Sequence, residues 1–257
     1  MAIPDTRPDI LDRPAPAGAL AKAINFSGTA VEDFFAITIE NALSQRECEE
    51  ILSSVQPAGD DDVPWSMVTF TPHGRLQHMD PSGKLYCPRI GKYMPNLSDA
   101  LLKRITPFLP LQIATLKDAV PVTGPYPASR GDVWRLSHLG PYLRFLKYGP
   151  GHFFRRHCDH MATEGGRDSY LTFLLYLNDE GLSGGATRFH TDPTDPEAAT
   201  LDVNPKAGSV LVFQQRDLWH EGCEVFQGEK FIVWGNLFYE RVVKEGIAIP
   251  GADGTRT

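Results

Sequence analysis

Cysteine is scarce. Cys48, Cys87, Cys158 and Cys223 are the only four in 257 residues, and no two form a Cys-x-x-Cys pair. That spacing excludes a disulfide framework or a zinc-finger ligand set and fits reduced thiols in an intracellular compartment. Long apolar runs are missing too: nothing approaches the ~20 residues that a membrane span requires. The N-terminus shows no basic flank followed by an apolar core, so no signal peptide is expected and the expected location is cytoplasmic. Basic charge is in deficit, 25 Lys and Arg against 32 Asp and Glu for a net −7, which argues against generic nucleic-acid binding. No internal repeat is visible.

What is present suits a globular chain. Hydrophobic residues make up 42%, enough for a real core, and the length suits one large domain or one domain with a helical annex. Residues 1–30, rich in Pro, Ala and Asp, read as a loose leader, and 246–257 as a frayed tail. Residues 31–141 read as a support of helices and strands with lid elements, forming one domain with a β core over 142–245.

Residues 34–43 read as a first strand and turn. Ser44 and Glu47 make a capping box, and Cys48, Ile51, Leu52 and Val55 continue a helical stripe, so a helix is expected over 45–55. Asn96 or Asp99 could cap a second helix over 97–108, which Pro107 and Pro110 would end. Residues 57–95 read as irregular strands and loops, and 117–135 as another loop-rich stretch. From 142 the texture becomes short strands at 142–148, 168–178, 186–190, 208–214, 220–226 and 230–241, separated by Gly, Pro, Asp and Asn. Such a series without intervening helical pattern suggests a sandwich or jelly roll. The stretch 191–205 reads as a surface excursion.

His157-Cys158-Asp159 puts an imidazole and a carboxylate two residues apart. On an extended strand these share a face, with Cys158 pointing away. His160 would point away too if the strand continues. His220 follows 61 residues after Asp159, and Lys230 ten residues after His220. Two imidazoles and a carboxylate form a facial ligand set that leaves coordination positions open, suiting iron(II) but also catalytic zinc. His152, His160 and His190 are alternative ligands nearby. Downstream, Lys230 and Trp234 share one strand face, and Thr172 and Tyr176 another. A lysine with Thr and Tyr hydroxyls could neutralise the far carboxylate of an acid that chelates the metal, since a buried charge needs a partner.

The segments LRFLKYGPGHFFRRHCDH, SYLTFLLYLND, SGGATRFH, VNPKAGSVLVFQ and LWHEGCEVFQGEKFIVW together resemble the iron(II)/2-oxoglutarate dioxygenase superfamily, most of all its prolyl-4-hydroxylase-like branch. The resemblance covers about residues 142–241. It implies a mainly β chain with flanking helices around a distorted double-stranded β-helix. It implies Fe(II) on His157, Asp159 and His220, with 2-oxoglutarate as co-substrate, its distal carboxylate on Lys230, and Tyr148, Thr172, Tyr176 and Trp234 around it. O2 would be the oxidant and ascorbate a supporting reductant.

The activity so implied is hydroxylation of an unactivated C–H bond, with decarboxylation of 2-oxoglutarate to succinate. The solitary domain and acidic composition lean toward a small-molecule substrate, with a peptide or protein hydroxylase as the alternative. A non-catalytic metal or 2-oxoglutarate sensor and a cupin-like metalloenzyme without a 2-oxo acid are readings from outside this class. Arg89, Arg144 and Arg188 are candidate contacts for an anionic substrate. Loops 59–95 and 160–169 are candidate lids.

Overall fold

The computed structural model describes residues 11, 13–56, 65–70, 76–79, 82–195 and 197–242. The expected tail over 246–257 and part of the expected lid, residues 59–64, 71–75, 80 and 81, lie outside them. The backbone is dominated by antiparallel strands arranged as two facing sheets, a distorted double-stranded β-helix with helices on the outer side of the larger sheet. The larger sheet has ten strands. Along its main path it runs Leu20–Ala23, Ala36–Glu40, Val210–Gln214, Arg167–Tyr176, Lys230–Val242, Val133–Leu139 and Thr115–Lys117. The smaller sheet orders Thr200–Val203, Thr187–His190, His220–Gly222, Phe153–His157 and Leu85–Tyr86.

Strand parity decides which core each side chain enters, because successive residues point to opposite faces. Leu171, Phe173 and Leu175 face outward with Val233 and Phe145, and pack on helix residues Cys48, Ile51, Leu97 and Leu101. The intervening Leu174 and Tyr176 face inward with Ile232, Leu146 and Tyr148, toward Phe189 of the smaller sheet. One alternating sequence therefore supplies both an apolar helix-packing core and the wall of a cavity.

The helix Gln45–Ser53 starts on the expected capping box. Ser44 Oγ accepts from the Glu47 N–H at 3.3 Å, and Glu47 Oε2 accepts from the Ser44 N–H at 2.7 Å. The second helix is Pro95–Ile105, followed by a 3-10 turn at Thr106–Phe108. It begins earlier than expected, with Pro95 in its first turn and no side-chain cap, because proline's fixed φ and missing N–H suit that position. Arg104 crosses from this helix to Glu47 at 2.9 Å and also donates to the carbonyls of Ala42, Leu11 and Arg13.

Other expectations need correction. Within the stretch read as a loose leader, Leu20–Ala23 pairs with Ala36–Glu40 as an edge strand, and Phe26 is buried. Val133–Leu139, which straddles the end of a segment read as loop, is a full strand against the second half of Lys230–Val242. The excursion at 191–205 returns as Thr200–Val203 to pair with Thr187–His190. Among the described residues no helix is long and apolar enough to cross a membrane, and all four cysteines are free.

Candidate active site

His157 and His220 are direct cross-strand partners in the smaller sheet, which brings together side chains 63 positions apart in the sequence. Their rings lie 4.2 Å apart between centroids. His157 Nδ1 is 2.7 Å from the Arg155 carbonyl and His220 Nδ1 is 3.0 Å from the Leu218 carbonyl. Each Nδ1 can only donate there, so each Nε2 is left as a lone-pair donor. Burial pushes the His220 imidazole down to about 4 against the pull of Asp159, so it is neutral at pH 7, as a ligand must be.

Asp159 completes the set, although it does not lie on the strand. The strand ends at His157, and Asp159 reaches the site from the segment beyond. Its Oδ1 is 3.6 Å from His157 Nε2 and its Oδ2 is 3.8 Å from His220 Nε2. One ligand atom from each of the three residues falls within 4.8 Å of the others. Burial alone would raise the Asp159 carboxyl, but His220, His157 and the Thr172 hydroxyl hold it well below the usual carboxylate range. Thr172 Oγ1 donates to Oδ2 at 2.6 Å, and Trp234 Nε1 approaches the same oxygen at 3.4 Å. Two imidazoles and an ionised, oriented carboxylate fit a divalent iron ion.

Because the strand stops, His160 does not follow the alternation: it lines the cavity with Met161 and Ala162. Cys158 stays outside the cluster, its thiol pushed up to about 11 by burial. His152 accepts from the Gly149 N–H at 2.9 Å, and His190 sits 3.8 Å from Glu221; neither belongs to the cluster.

The cavity, about 340 Å³, runs from this triad along the inner face of the larger sheet. Lys230 lines it and is 1% exposed. Its Nζ donates to the Gly185 carbonyl at 2.7 Å and lies 4.4 Å from the centroid of the Tyr148 ring. Among the described residues no carboxylate pairs with it, and burial pushes it down to about 8. Gly185 has a positive φ of 73°, and a Cβ there would press on Val225 at 3.0 Å and on the Lys230 stem at 3.4 Å. The turn therefore needs glycine for the lysine to lie where it does.

Tyr148 and Trp234 also line the cavity. Tyr176 stands behind the wall and donates to Thr187 Oγ1 at 2.8 Å, so Thr187 is the hydroxyl that faces inward. Arg89 and Arg144 line the same cavity. Arg188 does not: it sits on the outer face, opposite Asp202, whose carboxylate it meets at 2.7 and 2.8 Å. Parity explains this, since Thr187 and Phe189 on either side are buried inward.

Sequence reasoning missed a buried network behind Asp159. Gln215, 0% exposed, donates from Nε2 to Asn236 Oδ1 at 2.8 Å and, at 3.4 Å, to Thr172 Oγ1. Its Oε1 accepts from Ser169 Oγ, which in turn accepts from the Ala162 N–H. The carboxylate and the 160–162 segment are thus tied to one glutamine. The available signal was two adjacent amides, Gln214 and Gln215, closing an apolar strand, where an unpaired amide would be costly.

Residues 143–238 match the family model described as the 2OG-Fe(II) oxygenase superfamily. No curated protein matches the chain. Among solved structures, a Pseudomonas putida prolyl-4-hydroxylase is 16% identical, with a TM-score of 0.49, over 80% of this chain and 93% of that one. A viral collagen prolyl hydroxylase from Paramecium Bursaria Chlorella virus-1, in complex with 2OG, is 17% identical, with a TM-score of 0.48, over 80% and 96%. A Trichoplax adhaerens prolyl hydroxylase, in complex with a hypoxia inducible factor peptide fragment, is 14% identical, with a TM-score of 0.45, over 86% and 84%.

Proposed function

We propose, from the match of residues 143–238 to the 2OG-Fe(II) oxygenase superfamily model, that the protein hydroxylates an unactivated C–H bond of a small molecule while 2-oxoglutarate is decarboxylated to succinate. The observation that carries this reading is Lys230. A buried ammonium whose hydrogen bond goes to the Gly185 carbonyl, with no carboxylate partner among the described residues, is costly unless an anion completes it. It opens into the cavity that also holds His157, Asp159 and His220. A dicarboxylate that chelates a metal through one end and meets Lys230 with the other fits both features.

His157, Asp159 and His220 would hold iron(II), which when bound supplies activation of O2, with ascorbate keeping it reduced. The chain's own residues position and shield. Thr172 and the two backbone carbonyls fix the donor atoms, an arrangement whose loss commonly costs a metal site 10- to 100-fold in affinity. Tyr148, with Thr187 backed by Tyr176, walls the co-substrate, and Leu146, Leu174 and Ile232 exclude water from its carbon chain. Phe154 stacks on His157 at 3.6 Å between ring centroids, and Phe213 meets His220 edge-on at 4.7 Å. These contacts shelter the metal side.

The volume of about 340 Å³ lies within the range of small-ligand pockets, which supports a metabolite over a long peptide groove. The test is succinate formation from 2-oxoglutarate with Fe(II), ascorbate and O2, in the wild type and in Asp159→Ala. Iron- and O2-dependent succinate lost in the variant supports the reading. Full turnover in Asp159→Ala, or none in the wild type, overturns it.

A further inference from the structure

Behind Asp159 the direction of each hydrogen bond is set by backbone groups, whose donor and acceptor roles cannot reverse. The Ala162 N–H donates to Ser169 Oγ at 2.8 Å, and the Ser169 hydroxyl donates onward to Gln215 Oε1 at 2.9 Å. On the other side of the same amide the Leu171 carbonyl can only accept, 3.2 Å from Nε2. Gln215 therefore has one orientation. Its oxygen faces Ser169, and its two N–H groups face Leu171 and Asn236 Oδ1, the latter at 2.8 Å. Thr172 Oγ1 lies 3.4 Å from Nε2 and gives its own hydrogen to Asp159.

This order sets the polarity of Asn236. Turning its amide over would put N–H against N–H, so Oδ1 stays on Gln215 and Nδ2 is the end left over. Among the described residues no protein group accepts from Nδ2. Asn236 is half-buried and lines the cavity that holds the triad. It also lines an adjoining groove of about 280 Å³, with Tyr142 and Phe238. Ala162 and Trp234 are common to both linings, so Asn236 stands where the cavity opens into the groove. On the ladder it is directly opposite Thr172, whose hydroxyl holds Asp159. Opposed side chains start about 4.5–5.5 Å apart, which places the amide one side chain from the metal-binding carboxylate. The side chains of Ala162, Trp234 and Phe238 around it carry no acceptor. Two N–H groups aimed by a buried network and left without a protein acceptor make a donor site for one oxygen atom.

Resting on the oxygenase reading, we infer that Asn236 is a substrate-recognition residue that donates to a carbonyl-type oxygen of the substrate, carried by an amide, an ester or a carboxylate. The bond fixes the C–H group to be oxidised a short way from that oxygen, on the Asp159 side. Gln215 is a positioning residue that acts through Asn236 by deciding which end of its amide faces the cavity. A compound that lacks the oxygen is rejected without any clash, because it leaves the Asn236 N–H groups unpaired.

The test uses probes of matched length. N-Butylhexanamide, butyl hexanoate and decanoate carry the oxygen; butyl hexyl sulfide and N-butylhexylammonium do not. Each is scored by the concentration that half-maximally stimulates 2-oxoglutarate consumption. The best carbonyl probe should need roughly 10- to 100-fold less than the sulfide. In Asn236→Leu that ratio should fall close to unity. Asn236→Asp keeps an oxygen for Gln215 and turns an acceptor toward the cavity, so there the ammonium should outrank the amide. These ratios are internal to one preparation, so partial folding does not move them. Either order of decanoate and the neutral carbonyl probes supports the inference, and the order tells which source of the oxygen the site prefers. In the isotope-labelled full chain, the Asn236 side-chain amide resonances, assigned by their loss in Asn236→Leu, should shift with the best carbonyl probe.

The sulfide or the ammonium stimulating the wild type as well as the carbonyl probes, or no carbonyl probe stimulating, overturns the inference. So does a preference unchanged in both variants, or Asn236 amide resonances indifferent to a stimulating probe. Substrate-free succinate formation by the wild type tells these failures apart from failure of the oxygenase reading, because it persists in the first case and is absent in the second.

Discussion

Replacing Lys230 by Met should make the protein more stable and its co-substrate binding much worse. Burial lowers the Lys230 ammonium from an ordinary 10.5 to about 8, which corresponds to roughly 3 kcal/mol of disfavoured charge when the pocket is empty. Methionine keeps most of the apolar stem and removes that charge. It also removes the hydrogen bond to the Gly185 carbonyl, which returns about 1–2 kcal/mol of cost. The net expectation is a ligand-free protein about 1–2 kcal/mol more stable, with Tm higher by roughly 2–6 °C for a chain of this size. Binding moves in the opposite direction. Truncating one partner of a buried charge pair costs about 2–5 kcal/mol, or a 2-oxoglutarate Kd raised from about 30-fold to a few thousand-fold. Thermal unfolding of the ligand-free protein and calorimetric titration of 2-oxoglutarate measure the two halves. A destabilised Lys230→Met with unchanged 2-oxoglutarate affinity would refute the reasoning and move the anion site elsewhere.

The same lysine sets a pH dependence. The Cys87 thiol is pushed up to about 12, and the Tyr148 hydroxyl and Cys223 thiol are also raised, so Lys230 is the group in this pocket that titrates near 8. Below pH 8 it is charged and 2-oxoglutarate affinity should be flat; above it, the Kd should rise about ten-fold per pH unit, as calorimetry at several pH values would measure. For stability the sign is reversed, since between 8 and 10.5 the unfolded chain holds the proton that the native chain has lost, and this group's contribution rises with pH. Thr172→Val keeps the shape and removes the donor to Asp159, and metal titration should show iron(II) affinity falling roughly 10- to 100-fold. Gln215→Leu strands Asn236, Ser169 and the Leu171 carbonyl, which also accepts from Gln215 Nε2 at 3.2 Å, and should cost about 2–4 kcal/mol in denaturant unfolding. Gly208→Ala places a Cβ on the Leu43 carbonyl oxygen at a φ of 74° and should cost more than about 2 kcal/mol by the same assay.

Much of the β core could be read from alternation. Tyr142–Tyr148 occupies the expected residues, and Arg167–Tyr176 and Lys230–Val242 lie within two residues of expectation, because strands buried on alternating faces leave a strong period-two signal. Val133–Leu139 escaped because most of its side chains are half-buried, so its sequence alternates weakly. The N-terminal helix of the support was legible from its capping box. The start of the next was misplaced because a polar pair looked like a cap where Pro95 already opens the helix.

The site divides in the same way. His157, Asp159 and His220 were named from spacing and resemblance, and the structure brings their side chains together. The reason is only partly the expected one, since Asp159 lies past the end of its strand, and His160 consequently faces the cavity. Local periodicity cannot say where a strand ends when a register shift lies between Phe154 and His157. Arg188 could have been set aside from sequence: between two inward residues on a strand it must point out. Gln215 could not have been assigned, because its partners Ser169, Thr172 and Asn236 come from other strands and only the folded sheet aligns them.

The most direct test of the central claim is an anaerobic titration of the iron(II)-loaded protein with 2-oxoglutarate, followed by visible absorption. If His157, Asp159 and His220 hold the metal beside the Lys230 anion pocket, chelation should produce a saturable metal-to-ligand charge-transfer band. The band should be lost in Asp159→Ala and should require far more 2-oxoglutarate in Lys230→Met. Iron bound at wild-type affinity without such a band, or a band indifferent to both substitutions, would contradict the account.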